Sequence, residues 1–113
     1  MKYIQITFLL FFIGCSSSLP DESLPLADHL KIGMDFLDQG KFVKAQDEFK
    51  FILSRGTGTD YGDDAQFFLA EAYFLNEQYM LSIQEYENLT RKMAFSPFFE
   101  KARFRICEAY RIE

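Results

Sequence analysis

Among side chains that could do chemistry, the two cysteines stand out first. Cys15 lies in "FFIGCSSS", directly behind an apolar run and directly before three serines. A thiol kept for packing belongs inside a periodic apolar pattern, and a disulfide needs a second cysteine nearby. Neither description fits Cys15. Cys107, in "RFRICEAY", sits within an apolar helical pattern and reads as a small buried hydrophobe. The single histidine, His29, occupies a helical position where a large residue packs or faces solvent. "GTGTDYGDD", Gly56 to Asp64, lacks both the G-x-G-x-x-G spacing and the lysine of a phosphate loop. Its carboxylates Asp60, Asp63 and Asp64 lack calcium-loop spacing and instead complement the positive end of the helix that follows. With no H-E-x-x-H and no C-x-x-C, the sequence offers no catalytic constellation and no metal or cofactor set, so the chain is not read as an enzyme.

The residues before Cys15 explain its position. Met1-Lys2 carries one positive charge, Tyr3 to Ile13 is apolar apart from Gln5 and Thr7, and Gly14 is a small residue beside a cut. A membrane span needs ~20 apolar residues, so residues 1–14 read as a signal peptide to be removed. Phe12-Ile13-Gly14-Cys15 resembles the bacterial lipobox. That resemblance implies lipidation at Cys15: a diacylglycerol on its sulfur, cleavage just before it, and an acyl chain such as palmitate on the new amino terminus. A signal anchor, or an ordinary cleaved signal in which Cys15 has no role, are the alternatives. Two or more acyl chains make a stable anchor, at ~0.8 kcal/mol per buried methylene. Ser16, where lipoproteins of the inner membrane commonly carry Asp, implies the periplasmic side of the outer membrane.

Residues 15–24 are rich in Ser, Pro, Asp and Glu and read as the lipidated cysteine followed by a flexible linker. Residues 25–113 can form one small domain. The formal net charge of −5 argues against nucleic acid and against polybasic binding to anionic lipid. Attachment to the membrane would therefore fall to the acyl chains.

The domain repeats itself. "FLAEAYF" and "RICEAYR" share Glu-Ala-Tyr, and Tyr73 and Tyr110 lie 37 residues apart. The same step links Phe36 to Tyr73, Ile32 to Leu69 and Ile106, Gly33 to Ala70 and Cys107, and Leu30 to Phe67 and Phe104. It also links Phe42 to Tyr79, Glu48 to Glu85, and Phe49 to Tyr86. A fixed period of this size means stacked supersecondary units. Apolar residues at three- and four-residue steps make each unit a pair of helices. Gly40 ends the first helix of unit one, Asn76 takes that role in unit two, and Ser96-Pro97 supplies an N-cap and first helical residue. The expected architecture is all-α: antiparallel helix pairs, two repeats plus one helix of a third.

His29, Ile32, Gly33, Phe36, Ala45, Phe49, and again Gln66, Leu69, Ala70, Tyr73, Ser82, Tyr86, resemble the tetratricopeptide pattern W-x2-L-G-x2-Y…A-x3-F. The signature Trp is absent and the period is three residues longer than usual. Signal, spacer and long-period repeats together resemble the BamD (ComL) family of outer-membrane lipoproteins, a subunit of the β-barrel assembly machinery. Family members run to about five repeats, whereas this chain stops after the first helix of a third. The expectation is a fragment, a truncated gene, or a protein completed by a partner.

The family resemblance implies that the first helix of each unit lines a groove for polypeptide. The groove would hold Leu30, Met34 and Leu37, then Phe67, Glu71 and Phe74, then Phe104, Glu108 and Arg111, each triple on one helical face. Phe67 and Phe104 could instead pack against neighbouring helices. Partners implied are other subunits of the outer-membrane β-barrel assembly complex and unfolded outer-membrane protein clients. A scaffold of another envelope complex, such as cell-wall synthesis, is the alternative.

Overall fold

The computed structural model describes residues 19–113, which fold into five helices with no strand among the described residues. These are α1 (Leu26–Asp38), α2 (Phe42–Ser54), α3 (Gly62–Leu75), α4 (Tyr79–Lys92) and α5 (Phe99–Ile112). Each helix packs on its chain neighbours, and α1 also touches α3. Short connections make these neighbours antiparallel. The arrangement is a helical repeat of two helix pairs followed by one further helix. No described helix is long and apolar enough to cross a membrane.

The 37-residue step is visible in the backbone. After α1, the amide of Lys41 donates to Phe36 O and that of Gly40 to Leu37 O, at 2.8 and 3.0 Å. After α3, Gln78 donates to Tyr73 O and Glu77 to Phe74 O, at 2.9 and 3.0 Å. This double bond pattern closes a helix on a left-handed residue, here Gly40 at φ 71° and Glu77 at φ 59°. Gly40 thus ends its helix as expected. In the second unit the left-handed residue is Glu77, not Asn76, whose φ is −85°. Asn76 is the counterpart of Gln39, one position too early to make the turn.

Side chains repeat as well. Nδ1 of His29 donates to Glu48 Oε2 at 2.6 Å, and Nε2 of Gln66 donates to Glu85 Oε2 at 2.7 Å. Both clasps join the first and second helix of a unit, at positions one repeat apart. A glutamine makes the same clasp as the histidine, which marks His29, fully buried and 4.2 Å from the Phe51 ring, as an architectural residue.

Two apolar clusters fill the stack. Ala45, Phe49, Ile52, Leu69 and Tyr73 form the first, and Phe67, Ala70, Tyr86, Leu89 and Ala102 the second. Phe68 packs against both. Ala45, Phe49 and Ile52 on α2 supply one wall of the first cluster, and Tyr86 and Leu89 on α4 one wall of the second, at three- and four-residue steps.

Two further expectations change. Helix α5 begins at Phe99, so Pro97 is not its first residue. Ser96 instead organises the preceding turn: its Oγ accepts from the Phe98 amide at 3.2 Å and its carbonyl from the Phe99 amide at 3.1 Å. Thr59 O accepts from Gly62 in the same way one repeat earlier. Cys107 is exposed rather than buried, because it lies opposite the face of α5 that carries the buried Ala102 and Ala109. Asp63 and Asp64 do fall in the first turn of α3.

Candidate functional site

The first helices α1, α3 and α5 carry the expected groove residues, and their environments differ from one unit to the next. On α1, Leu30 and Leu37 are partly buried against the first cluster, while Met34 is exposed. On α3, Phe67 is 1% exposed and belongs to the second cluster. Its ring stacks on Phe98 with centroids 4.5 Å apart and meets Phe68 edge-on at 5.4 Å. On α5, Phe104 is 64% exposed and Arg111 is exposed. The nine residues therefore do not form one continuous open stripe. Phe67 is a core residue, as the packing alternative allowed.

Three of the positions are gathered by a residue that the sequence reading did not single out. Arg105 Nε donates to Glu71 Oε1 at 2.9 Å, and Nη2 donates to Glu71 Oε2 at 3.1 Å. Its Nη1 donates to Glu108 Oε2 at 2.9 Å. The same guanidinium lies 4.8 Å from the centroid of Phe74. Glu71 also accepts from the hydroxyl of Tyr86 on α4. One buried carboxylate thus ties α3, α4 and α5 together. A forked guanidinium suits this task because its planar donors match a carboxylate pairwise. The i, i+3 spacing of Arg105 and Glu108 was a usable signal. Glu71 was not, since it lies 34 residues from Arg105 rather than a full repeat.

The charges in this cluster hold one another in place. Burial first, then the hydrogen bond to Glu71 and its negative charge, push the Tyr86 phenol well above its ordinary value. Burial opposes the Arg105 charge, but the bonds to Glu71 and Glu108 outweigh it and keep the guanidinium protonated. The cluster is a polar joint between apolar layers, with Phe74 half-buried beside it.

Cys15 lies outside the described residues. Among the described residues, no group of His, Cys, Asp and Glu is placed to hold a metal ion. No protein-family model and no curated protein matches the chain.

Proposed function

We propose that this chain is an outer-membrane-anchored helical-repeat lipoprotein that binds polypeptide, serving the machinery that assembles β-barrel outer-membrane proteins. Stacked helix pairs present equivalent positions of successive first helices side by side. The observation that carries the binding half of the reading is the series Leu37, Phe74 and Arg111. Its middle member, Phe74, is a half-buried ring, and the guanidinium of Arg105, from outside the series, lies 4.8 Å from its centroid. An extended client rich in alternating aromatic side chains would find apolar contact at Met34 and Phe74 and charge at Glu108 and Arg111. The anchoring half rests on Phe12-Ile13-Gly14-Cys15 and on the Ser/Pro/acidic spacer. The choice of this machinery rests on the family resemblance of signal, spacer and repeats taken together.

Affinity purification of the full chain from detergent-solubilised envelopes tests the proposal. The barrel-forming subunit of the assembly machinery should copurify. Recovery of cell-wall synthesis proteins in its place would transfer the scaffold to another envelope complex.

A further inference from the structure

The turns between units lie along one edge of the stack, where α1, α3 and α5 begin and α2 and α4 end. Glu22, just before α1, reaches Arg55 at the end of α2, at 3.8 Å. Thr57 and Gly58 share a surface hollow with Lys92, Met93, Phe95 and Ser96 of the next turn. The two most exposed large apolar side chains among the described residues belong to these segments: Phe95 is fully exposed and Leu19 is 83% exposed. The openness of Phe95 belongs to its register. Its counterpart one repeat earlier is Gly58, between two packed units, where an added Cβ would meet nothing within 4 Å. The position thus faces outward in the middle of the stack as well.

We propose that this edge lies on a phospholipid surface, with the Phe95 ring inserted at the level of the headgroups. The inference rests on the lipid anchor at Cys15 proposed above. Cys15 stands four residues before Leu19, and at ~3.3–3.6 Å per residue that span is at most about 14 Å. The residues that follow are fixed to the domain. Leu19 and Pro20 share a hollow with Lys50 and Phe51, beside the last turns of α2. The amide and hydroxyl of Ser23 donate to Asp21 Oδ1 at 3.0 and 2.7 Å. An acylated Cys15 therefore holds this part of the domain against the bilayer.

The side chains on the edge suit a lipid interface. An apolar ring seats at the boundary of headgroups and acyl chains, and a long cation beside it reaches the phosphates. Arg91 and Lys92 occupy the last turn of α4, and Lys92 makes no ion pair among the described residues. Asp21, Glu22 and Asp60 are exposed on the same edge as Arg55, Arg91 and Lys92. Its charge therefore balances, and the apolar contact carries the binding. One ring would hold a membrane weakly from solution. The tether makes the contact intramolecular, at high effective concentration, so that a single ring suffices. With this edge on lipid, the opposite edge, at Gly40 and Glu77, stands off by the length of a helix, ~20 Å. The row of first helices stays open to polypeptide.

The chain contains no tryptophan, so one can be introduced as a reporter. The full lipidated chain, carrying Phe95→Trp or Val43→Trp, is reconstituted into vesicles of phosphatidylethanolamine and phosphatidylglycerol, part of the lipid brominated on its acyl chains near the headgroup. Val43 lies towards the opposite edge and is 59% exposed. Both variants should float with the vesicles and keep the helical signal in circular dichroism, because both positions are open to solvent. Phe95→Trp should emit at shorter wavelength in vesicles than in detergent, lose emission to the brominated lipid and be shielded from iodide. Val43→Trp should be quenched by iodide and not by the lipid. Chains that float while Phe95→Trp escapes the brominated lipid, or while both variants are quenched by it equally, overturn the inference and leave the anchor standing. Chains that do not float overturn the anchor, and the inference with it.

Discussion

A Cβ added to Gly33 would lie 2.6 Å from Cε1 of Phe49, so α1 approaches α2 with backbone against ring. Phe49 is fully buried and cannot swing aside. One repeat later the same two positions hold Ala70 and Tyr86, both fully buried in the second cluster. A glycine in mid-helix ordinarily costs up to ~1 kcal/mol relative to alanine. Here the sign reverses: Gly33→Ala should destabilise by about 1–3 kcal/mol through overpacking. Denaturant unfolding checks this, and a stabilised variant would mean that the two helices are further apart.

The two helix-ending turns make a second pair of expectations of opposite sign. Glu77 holds a left-handed conformation that costs a residue with a Cβ ~1–2 kcal/mol. Glu77→Gly should therefore stabilise the protein by about 1 kcal/mol. Gly40→Ala, with no atom near the added Cβ, should destabilise by a similar ~1 kcal/mol through backbone strain alone. Thermal unfolding of the two variants should shift in opposite directions.

The Tyr86 phenol supplies a pH dependence. Its folded value is raised, so as pH rises the unfolded chain gives up this proton first. Stability from this group is whole below the ordinary tyrosine value of ~10 and falls above it, by at most ~1.4 kcal/mol per pH unit. Tyr86→Phe should cost about 1 kcal/mol at neutral pH and should lose less stability than the unmutated protein between pH 9 and pH 11, as about the range that brackets this value. Parallel alkaline profiles for both proteins would count against a buried Tyr86 phenol bonded to Glu71.

The repeat was legible because equivalent positions keep their residue class along the chain, and Glu-Ala-Tyr recurs in view. Burial was less legible, because one register position can meet three environments. Leu30 is half-buried on the first cluster, Phe67 is sealed by Phe98 from the turn before α5, and Phe104 points to solvent. Cys107 was expected inside because it sits within an apolar helical pattern; its counterparts Gly33 and Ala70 are buried, yet it is not. The left-handed residue of the second turn was missed because Asn tolerates that conformation better than Glu, so propensity pointed one residue early. Arg105 was missed because its counterparts, Phe68 and Lys31, do not bond a carboxylate on another helix; Lys31 pairs only with Asp35 on its own. A contact outside the period leaves no trace in a self-comparison.

The anchor has its own test. The full chain should partition into detergent with the outer-membrane fraction, and Cys15→Ala should accumulate as an uncleaved precursor. A soluble periplasmic product cut at another residue would remove the lipid from the proposal.

Site-specific photo-crosslinking would decide whether the row of first helices holds polypeptide. A benzophenone side chain placed at position 74 of the full chain, with Val43 on α2 as an exposed control, would be irradiated while an outer-membrane β-barrel protein is being assembled. Phe74 is partly buried and beside Arg105, whereas Val43 is 59% exposed on a second helix. Adducts with the unfolded barrel polypeptide are predicted from position 74 and not from position 43. Equal labelling from both positions, or labelling from position 43 alone, would contradict a client-binding face on α1, α3 and α5.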